Sequence, residues 1–178
     1  MKKFSWLIGV LVLTGATAVA QDNAPTAEIF GGYSYVHSNI LDTGFNLNGG
    51  SASLAINPTN WLGFVADFGG YHGSNQGFDL TTVTYLFGPR FSYRSKSPVT
   101  PFVHALFGGV HESGSFSGIS GSDNAFAMAI GGGLDLRADK HWSWRIVQAD
   151  YLLTTLSDGN NNRQNSARIS TGVVYSWD

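Results

Sequence analysis

The sequence contains charged residues inside segments that otherwise alternate between apolar and small or polar residues. A carboxylate in such a place can act as a general acid or base, and an arginine can bind a carboxylate through two hydrogen bonds. Six residues share this setting: Glu28, Asp67, Arg90, Asp135, Asp150 and Arg168. If they face one interior together with Gln148, they form a buried polar network in which Arg90 and Arg168 neutralise the acids. Such a network is either an ion path, as in a gated pore, or a set of ion pairs that fixes the register of the strands.

Histidine and serine residues offer two further kinds of chemistry. His37, His72 and His111 each come just before a polar segment, and with Glu112 as an oxygen ligand they could hold a metal ion. The pair His37-Ser38 contains a base and a nucleophile, as a hydrolase requires. Adjacent residues of a strand point to opposite faces, however, so this histidine cannot readily take the proton from that serine. No Gly-x-Ser-x-Gly elbow occurs in the sequence.

Composition limits the elements that can position these residues. The sequence has no cysteine, which excludes disulfides and thiolate metal sites. Charged residues make up 12% and aromatic residues 13%, whereas soluble domains have about 25% charged residues. Much of the surface is therefore not expected to face water. No segment after the N-terminus has the roughly 18 consecutive apolar residues of a membrane helix, so a closed β-barrel is the remaining way to cross a bilayer.

The N-terminus has the pattern of a secretory signal peptide. Lys2 and Lys3 precede an apolar core of about ten residues, too short for the roughly 20 that a membrane helix needs, and the small residues 18–20 follow it. We predict that residues 1–20 are the signal peptide and that residues 21–178 are one barrel domain. Without Lys2 and Lys3, eight basic residues stand against 12 acidic ones, a net charge of −4. No nucleic-acid partner is expected from this balance.

Alternating patterns predict about eight strands. Residues 83–93 place Val83, Tyr85 and Phe87 on one face and mostly small or polar residues on the other, and residues 168–177 repeat the pattern. Each run has roughly the 9–11 residues of a tilted membrane strand. The predicted strands begin near Glu28, Leu47, Trp61, Leu80, Phe102, Ala125, Trp142 and Ala167.

The connections between the predicted strands alternate in length. Three are short turns rich in turn-forming residues: residues 57–60, 95–98 and 138–141. Four are longer polar loops rich in Gly, Ser and Asn: residues 39–46, 72–79, 112–124 and 157–166. Outer-membrane barrels have this arrangement, with short turns in the periplasm and long loops outside the cell.

The tryptophans agree with this arrangement, because membrane barrels concentrate aromatic residues at the water interfaces. The four tryptophans after residue 20 all fall at the edge of the short turns. They are predicted to form a periplasmic aromatic girdle: Trp61, Trp142, Trp144 and Trp177.

Three segments and the final strand carry a family resemblance. The segments are Glu28-Ile29-Phe30-Gly31-Gly32-Tyr33-Ser34-Tyr35, Phe87-Gly88-Pro89-Arg90 and Gly131-Gly132-Gly133-Leu134-Asp135, and the final strand is rich in aromatic residues. In these features the sequence resembles the small OmpA-like outer-membrane β-barrel domains over nearly all of residues 21–178. The resemblance implies an eight-stranded barrel with an interior filled by side chains. The sequence departs from the family in two ways. It ends on Asp178 rather than an aromatic residue, so recognition by the assembly machinery is expected to rest on Trp177 and Tyr175. Residues 21–178 include no peptidoglycan-binding domain, so no role in anchoring to the cell wall is expected.

The fold class expected from the sequence is all-β, an eight-stranded antiparallel up-and-down transmembrane β-barrel. An interior of about eight strands holds side chains rather than an open channel. The polar network is therefore expected to be structural, with no catalytic site, no metal and no cofactor. The histidines are expected to face outward on non-adjacent strands, roughly 10 Å or more apart, as polar groups at the level of the lipid headgroups.

These expectations lead to a monomeric structural or surface-interacting protein of the outer membrane. Its expected partners are outer-membrane lipids, the barrel-assembly machinery during insertion, and an extracellular ligand bound through the long, mildly acidic loops. Two alternatives stay open: a lipid-modifying hydrolase of the outer membrane, and a secreted lipocalin-like carrier of a small apolar ligand. The direction of the Arg90 side chain distinguishes the carrier from the membrane barrel. It is expected to face solvent in a carrier and the interior in a membrane barrel.

Overall fold

The computed structural model describes residues 24–40, 43–75, 78–116, 119–156 and 163–177. Eight strands account for most of them. In chain order they are β1 (Ala27–Ile40), β2 (Thr43–Ile56), β3 (Leu62–Asn75), β4 (Phe78–Ser92), β5 (Val99–Phe116), β6 (Ile119–Arg137), β7 (Trp142–Thr154) and β8 (Gln164–Trp177). The described part of the chain has no helix that is long and apolar enough to span a membrane.

The strands close into a barrel. Each strand pairs antiparallel with its neighbours along the chain, and β1 pairs with β8, so that Ala27 lies opposite Trp177 and Ser38 opposite Ser166. Closure leaves no strand with an unpaired edge, which is what a sheet needs when no water reaches its backbone. The eight-stranded antiparallel barrel predicted from the sequence is confirmed.

The outer face of the barrel is apolar and the inner face carries the charges. On β4, Val83, Tyr85 and Phe87 are 40–50% exposed, whereas Arg90 is 3% exposed. The same alternation places large apolar side chains outside on every strand, including Phe64, Phe107, Ile130 and Ile169. A soluble carrier would have the opposite orientation, so the structure does not support the lipocalin-like alternative. The outer surface instead fits the hydrocarbon of a bilayer.

The strands are longer than the sequence suggests. They contain 13 to 19 residues, rather than the roughly 9–11 that suffice to cross a membrane. The sequence predicts loops for the polar segments 39–46, 72–79 and 112–124, but most of their residues continue the strands. For example, β5 and β6 stay paired as far as Phe116 and Ile119. Outside the bilayer both faces of a hairpin can be polar, so the alternating apolar pattern ends although the backbone ladder continues. Of the fourth segment, residues 157–162 lie outside the described residues.

A β-bulge in β7 changes which residues face the lumen. The pairing of β7 shifts beside Arg145, between Leu134 and Asp135 on β6 and between Arg145 and Gln148 toward β8. As a result both Arg145 and Gln148 are buried although they are three positions apart. Bulges of this kind redirect side chains in barrels. Here the bulge adds Arg145 to the charged residues of the lumen.

A charge placed on the outer face at mid-strand should destabilise the barrel in a bilayer. We expect Phe87→Arg to lower the free energy of unfolding by about 2–4 kcal/mol, measured by urea denaturation in phospholipid vesicles. The control is Ser122→Arg on the exposed hairpin end of β6, which should change it by no more than about 0.5 kcal/mol. Equal stability of the two variants would mean that Phe87 does not face lipid.

Candidate functional site

The lumen contains the six charged residues that the sequence analysis selected. Each is at most 9% exposed: Glu28, Asp67, Arg90, Asp135, Asp150 and Arg168. They come from β1, β3, β4, β6, β7 and β8, so the network links strands around the whole barrel. Their side chains are held in three groups of contacts, centred on Arg168, Arg145 and Glu28.

Arg168 is the centre of the first group and is fully buried. Its Nη1 donates to Asp67 Oδ1 at 2.7 Å and to the Tyr71 hydroxyl at 3.0 Å, and its Nε donates to Asp150 Oδ2 at 2.8 Å. One guanidinium on β8 therefore joins two carboxylates on β3 and β7. The desolvation of all three charges is offset by direct pairing with short, charge-assisted hydrogen bonds.

Asp150 has two further partners. His104 Nε2 lies 2.7 Å from Asp150 Oδ1, and Gln148 Nε2 donates to Asp150 Oδ2 at 2.8 Å. His104 was missed by sequence reasoning, which considered only the histidines beside polar segments. The alternation of β5 does indicate its direction, because His104 shares a face of the strand with Phe102 and Leu106, which are both buried.

Arg145 forms the second group. Its Nε and Nη2 donate to the two oxygens of Asp135 at 2.8 and 3.0 Å, and its Nη1 donates to Gln148 Oε1 at 2.8 Å. The guanidinium also lies between the rings of Phe30 and Phe102, 4.4 and 4.5 Å from their centroids, a favourable position for a cation. The expectation that Arg90 and Arg168 neutralise all the acids is therefore incomplete, because Asp135 binds Arg145. The bulge in β7 hides Arg145 from an argument based on strict alternation.

Glu28 holds the third group at the turn end of the barrel, the end formed by residues 57–61, 93–98 and 138–141. Arg90 Nη2 donates to Glu28 Oε2, and Arg94 Nη2 donates to Glu28 Oε1 at 3.2 Å. Arg90 also donates to Asn57 Oδ1 at 3.2 Å, and Arg94 donates to the Asn60 carbonyl at 2.8 Å. Burial lowers the pKa of the Arg94 guanidinium from its ordinary value, although Asp135 opposes the change. One carboxylate thus serves two arginines.

Apolar and hydroxyl side chains fill the lumen beyond the charges. Two buried clusters occupy it: one includes Leu86, Leu106 and Val110, and the other is Val36, Leu47, Tyr71 and Leu80. A chain of serines crosses between strands, with Ser34 Oγ 2.6 Å from Ser51 Oγ and 2.7 Å from Ser170 Oγ. The end opposite the turn end, where β1–β2, β3–β4 and β5–β6 extend as hairpins, is called the hairpin end. Between the two ends the interior is packed with side chains, as expected for a barrel of this size.

The serine and histidine of the hydrolase alternative do not meet. Ser38 is buried in the lumen, where Ser166 Oγ donates to it at 2.8 Å. His37 lies on the outer face, where its Nδ1 is 2.7 Å from Asn46 Oδ1. The two side chains are thus on opposite sides of the barrel wall, and the geometry gives no support to the hydrolase alternative.

The other rim histidines are also on the outer face. His72 Nδ1 lies 3.0 Å from Thr81 Oγ1, and His111 Nδ1 lies 2.9 Å from Asn124 Oδ1. Each histidine is thus bonded to the adjacent strand. Among the described residues, no group of three or more histidine or carboxylate side chains is arranged to hold a metal ion.

The tryptophans selected from the sequence lie on the outer face at the turn end. All four are exposed: Trp61, Trp142, Trp144 and Trp177. Trp142 packs edge-to-face on Tyr175 with 4.8 Å between ring centroids, and Trp61 stacks on Phe91 at 5.9 Å. Aromatic side chains with one apolar and one polar part favour the boundary between hydrocarbon and water.

Comparison with known proteins identifies the family to which this sequence belongs. The sequence profile of the family described as outer membrane protein beta-barrel domain matches residues 7–176. A sequence comparison with curated proteins gives no match.

Several solved structures share the fold. Neisserial surface protein A has a TM-score of 0.72 and 14% identity, over 88% of this chain and 100% of that chain. Ail, the attachment invasion locus protein of Yersinia pestis, has a TM-score of 0.62 and 18% identity, over 86% and 99%. The N-terminal β-barrel domain of OprF from Pseudomonas aeruginosa has a TM-score of 0.54 and 13% identity, over 87% and 100%. At these identities the likeness establishes the fold alone.

Removal of the central arginine should leave the buried carboxylates of Asp67 and Asp150 without the cation that they share. We expect Arg168→Met to lower the free energy of unfolding by about 3–5 kcal/mol, measured by urea denaturation in vesicles. Adding Asp67→Asn and Asp150→Asn should recover part of this loss, because the uncompensated charges are gone.

The matched control is Arg163→Met, since Arg163 is exposed just before β8. It should change the stability by no more than about 0.5 kcal/mol. If the Arg168 and Arg163 variants were equally stable, the network around Arg168 would not contribute to the fold.

Proposed function

Because this chain belongs to the outer membrane protein β-barrel domain family, we propose that it is a structural barrel with a closed lumen that carries long hairpins at the cell surface. The family and the apolar outer face give its location as the outer membrane. The proposal assigns the barrel itself a scaffold role and assigns contact with the outside to the hairpins.

The observation that supports this proposal most strongly is the content of the lumen. The polar side chains that could line an ion path are paired with one another, as Arg168 is with Asp67 and Asp150. An apolar cluster that includes Leu86 and Leu106 fills the middle of the lumen. Paired charges and packed apolar groups do not provide the continuous water column that conduction requires.

The proposal also covers how the protein is exported and inserted into the membrane. Residues 1–20 serve as a cleaved signal peptide, and the barrel-assembly machinery then inserts residues 21–178 as a monomer. The support for cleavage is the basic, apolar and small-residue pattern of the N-terminus. In this orientation the turn end and its tryptophans face the periplasm, and the hairpins face outward.

Charge limits the partners that the hairpin end can bind. Asp79, Glu112 and Asp123 lie on the hairpin extensions of β4, β5 and β6, and Arg163 is the single basic residue of the described residues at that end. Ail, a structural neighbour, has been solved in complex with the heparin analogue sucrose octasulfate. A polyanion of that kind is not expected to bind the acidic hairpins of this chain. A neutral or basic partner fits them better.

A closed lumen should not conduct ions. We expect the refolded protein to give no sustained stepwise conductance in planar lipid bilayers, with a general porin as the positive reference. Folding is checked in the same preparation by the shift in gel mobility between unboiled and boiled samples in detergent. Regular channel openings from protein that passes this check would contradict the closed barrel.

A scaffold role should survive the loss of the tallest hairpin. His111 and Asn124 are cross-strand partners, so residues 112–123 can be replaced by a two-residue Asn-Gly turn. In a strain that lacks the gene, we expect the shortened barrel to restore resistance to detergent as well as the wild type does, because the lumen is unchanged. Failure of a folded, surface-expressed shortened barrel would assign that role to the hairpin instead.

A further inference from the structure

The lumen is open at the turn end, where the side chains leave a cavity of about 260 Å³. Its wall contains four basic side chains, Arg90, Arg94, Arg137 and Lys140, and hydroxyl groups that include Ser92 and Ser176. The cavity lies among the connections 93–98 and 138–141, beside the start of β1 and the end of β8. In the proposed orientation it is therefore accessible from the periplasm.

The charges around this cavity do not balance. Among the residues that the structure describes, Glu28 and Asp135 are the acidic residues of its wall. Glu28 is shared by Arg90 and Arg94, and Asp135 is bound on both oxygens by Arg145. The four arginines Arg90, Arg94, Arg137 and Arg145 therefore lie around two carboxylates. This excess of positive charge in a confined space attracts anions.

Arg90 provides a second, independent observation. Its side chain is 4% exposed and lines the cavity. Its Nη2 binds Glu28 and Asn57, but its Nε has no hydrogen-bond partner among the described residues. The guanidinium of Arg90 is therefore only partly compensated at the wall of the cavity, and an anion in the cavity would offset its charge.

We propose that this cavity is a binding site for a small multivalent oxyanion of the phosphate type, either inorganic phosphate or a phosphate monoester. Arginine forks match the oxygens of a phosphate group through paired hydrogen bonds. The hydroxyls of Ser92 and Ser176 can donate to further oxygens. A monovalent anion such as chloride would compensate less of the excess charge and fill less of the cavity. The site is independent of any activity of the hairpins.

The test is calorimetric titration of the folded protein in detergent with inorganic phosphate at low ionic strength, where screening is weak. We expect saturable binding to one site and competition by sulfate but not by equimolar chloride. Arg137→Gln should weaken binding at least tenfold. Arg137 is exposed on the cavity wall, so the variant is expected to fold, which the gel-mobility shift verifies.

Arg163→Gln is the matched control, because it removes the same charge at the opposite end of the barrel, and it should leave the affinity within twofold of the wild type. Equal weakening by the two variants, or no saturable binding to the folded wild type, would overturn the proposal. Titration with glycerol 3-phosphate then separates the two sources. Tighter binding than that of inorganic phosphate supports the proposal with a monoester as the ligand, and equal or weaker binding supports it with free phosphate.

Discussion

A bilayer offers no water to backbone N–H and C=O groups, and this constraint governs the rest of the structure. It requires every strand to be paired on both sides, which the contact between β1 and β8 completes. Closing only eight strands makes the interior narrow. Every charged group inside must then find its partner within that space, because water cannot solvate it there. The pairing of the lumen charges is thus a consequence of closure.

The ion pairs also connect strands that are far apart in the sequence. Arg168 on β8 binds Asp67 on β3 across the lumen and Asp150 on the neighbouring β7. Replacing a buried ion pair by apolar residues is often neutral or stabilising, so these contacts need not add net stability. They do define one register, because a shift of one residue would turn Arg168 outward into the lipid. We infer that specifying the register is their main contribution to the fold.

The sequence predicts this fold well because the two faces of each strand differ so strongly in polarity. Residues 83–93 and 168–177 indicate both the strands and the inward direction of Arg90 and Arg168. Arg145 could not be found in this way, since a bulge interrupts the alternation of β7 and leaves no distinct pattern. The sequence predicts loops for the hairpin extensions, because their apolar alternation ends at the edge of the hydrocarbon. Arg94 lies in a turn, where residue order does not indicate the direction of a side chain.

The distribution of charge along the barrel axis separates two environments. Six basic residues lie toward the turn end: Arg90, Arg94, Lys96, Arg137, Lys140 and Arg145. The hairpin end instead carries acids such as Asp79, Glu112 and Asp123. The packed middle of the lumen, where Leu86 and Leu106 are fully buried, lies between these two ends. Surface residues at one end can therefore change without altering the other end, because the packed and paired interior between them stays the same.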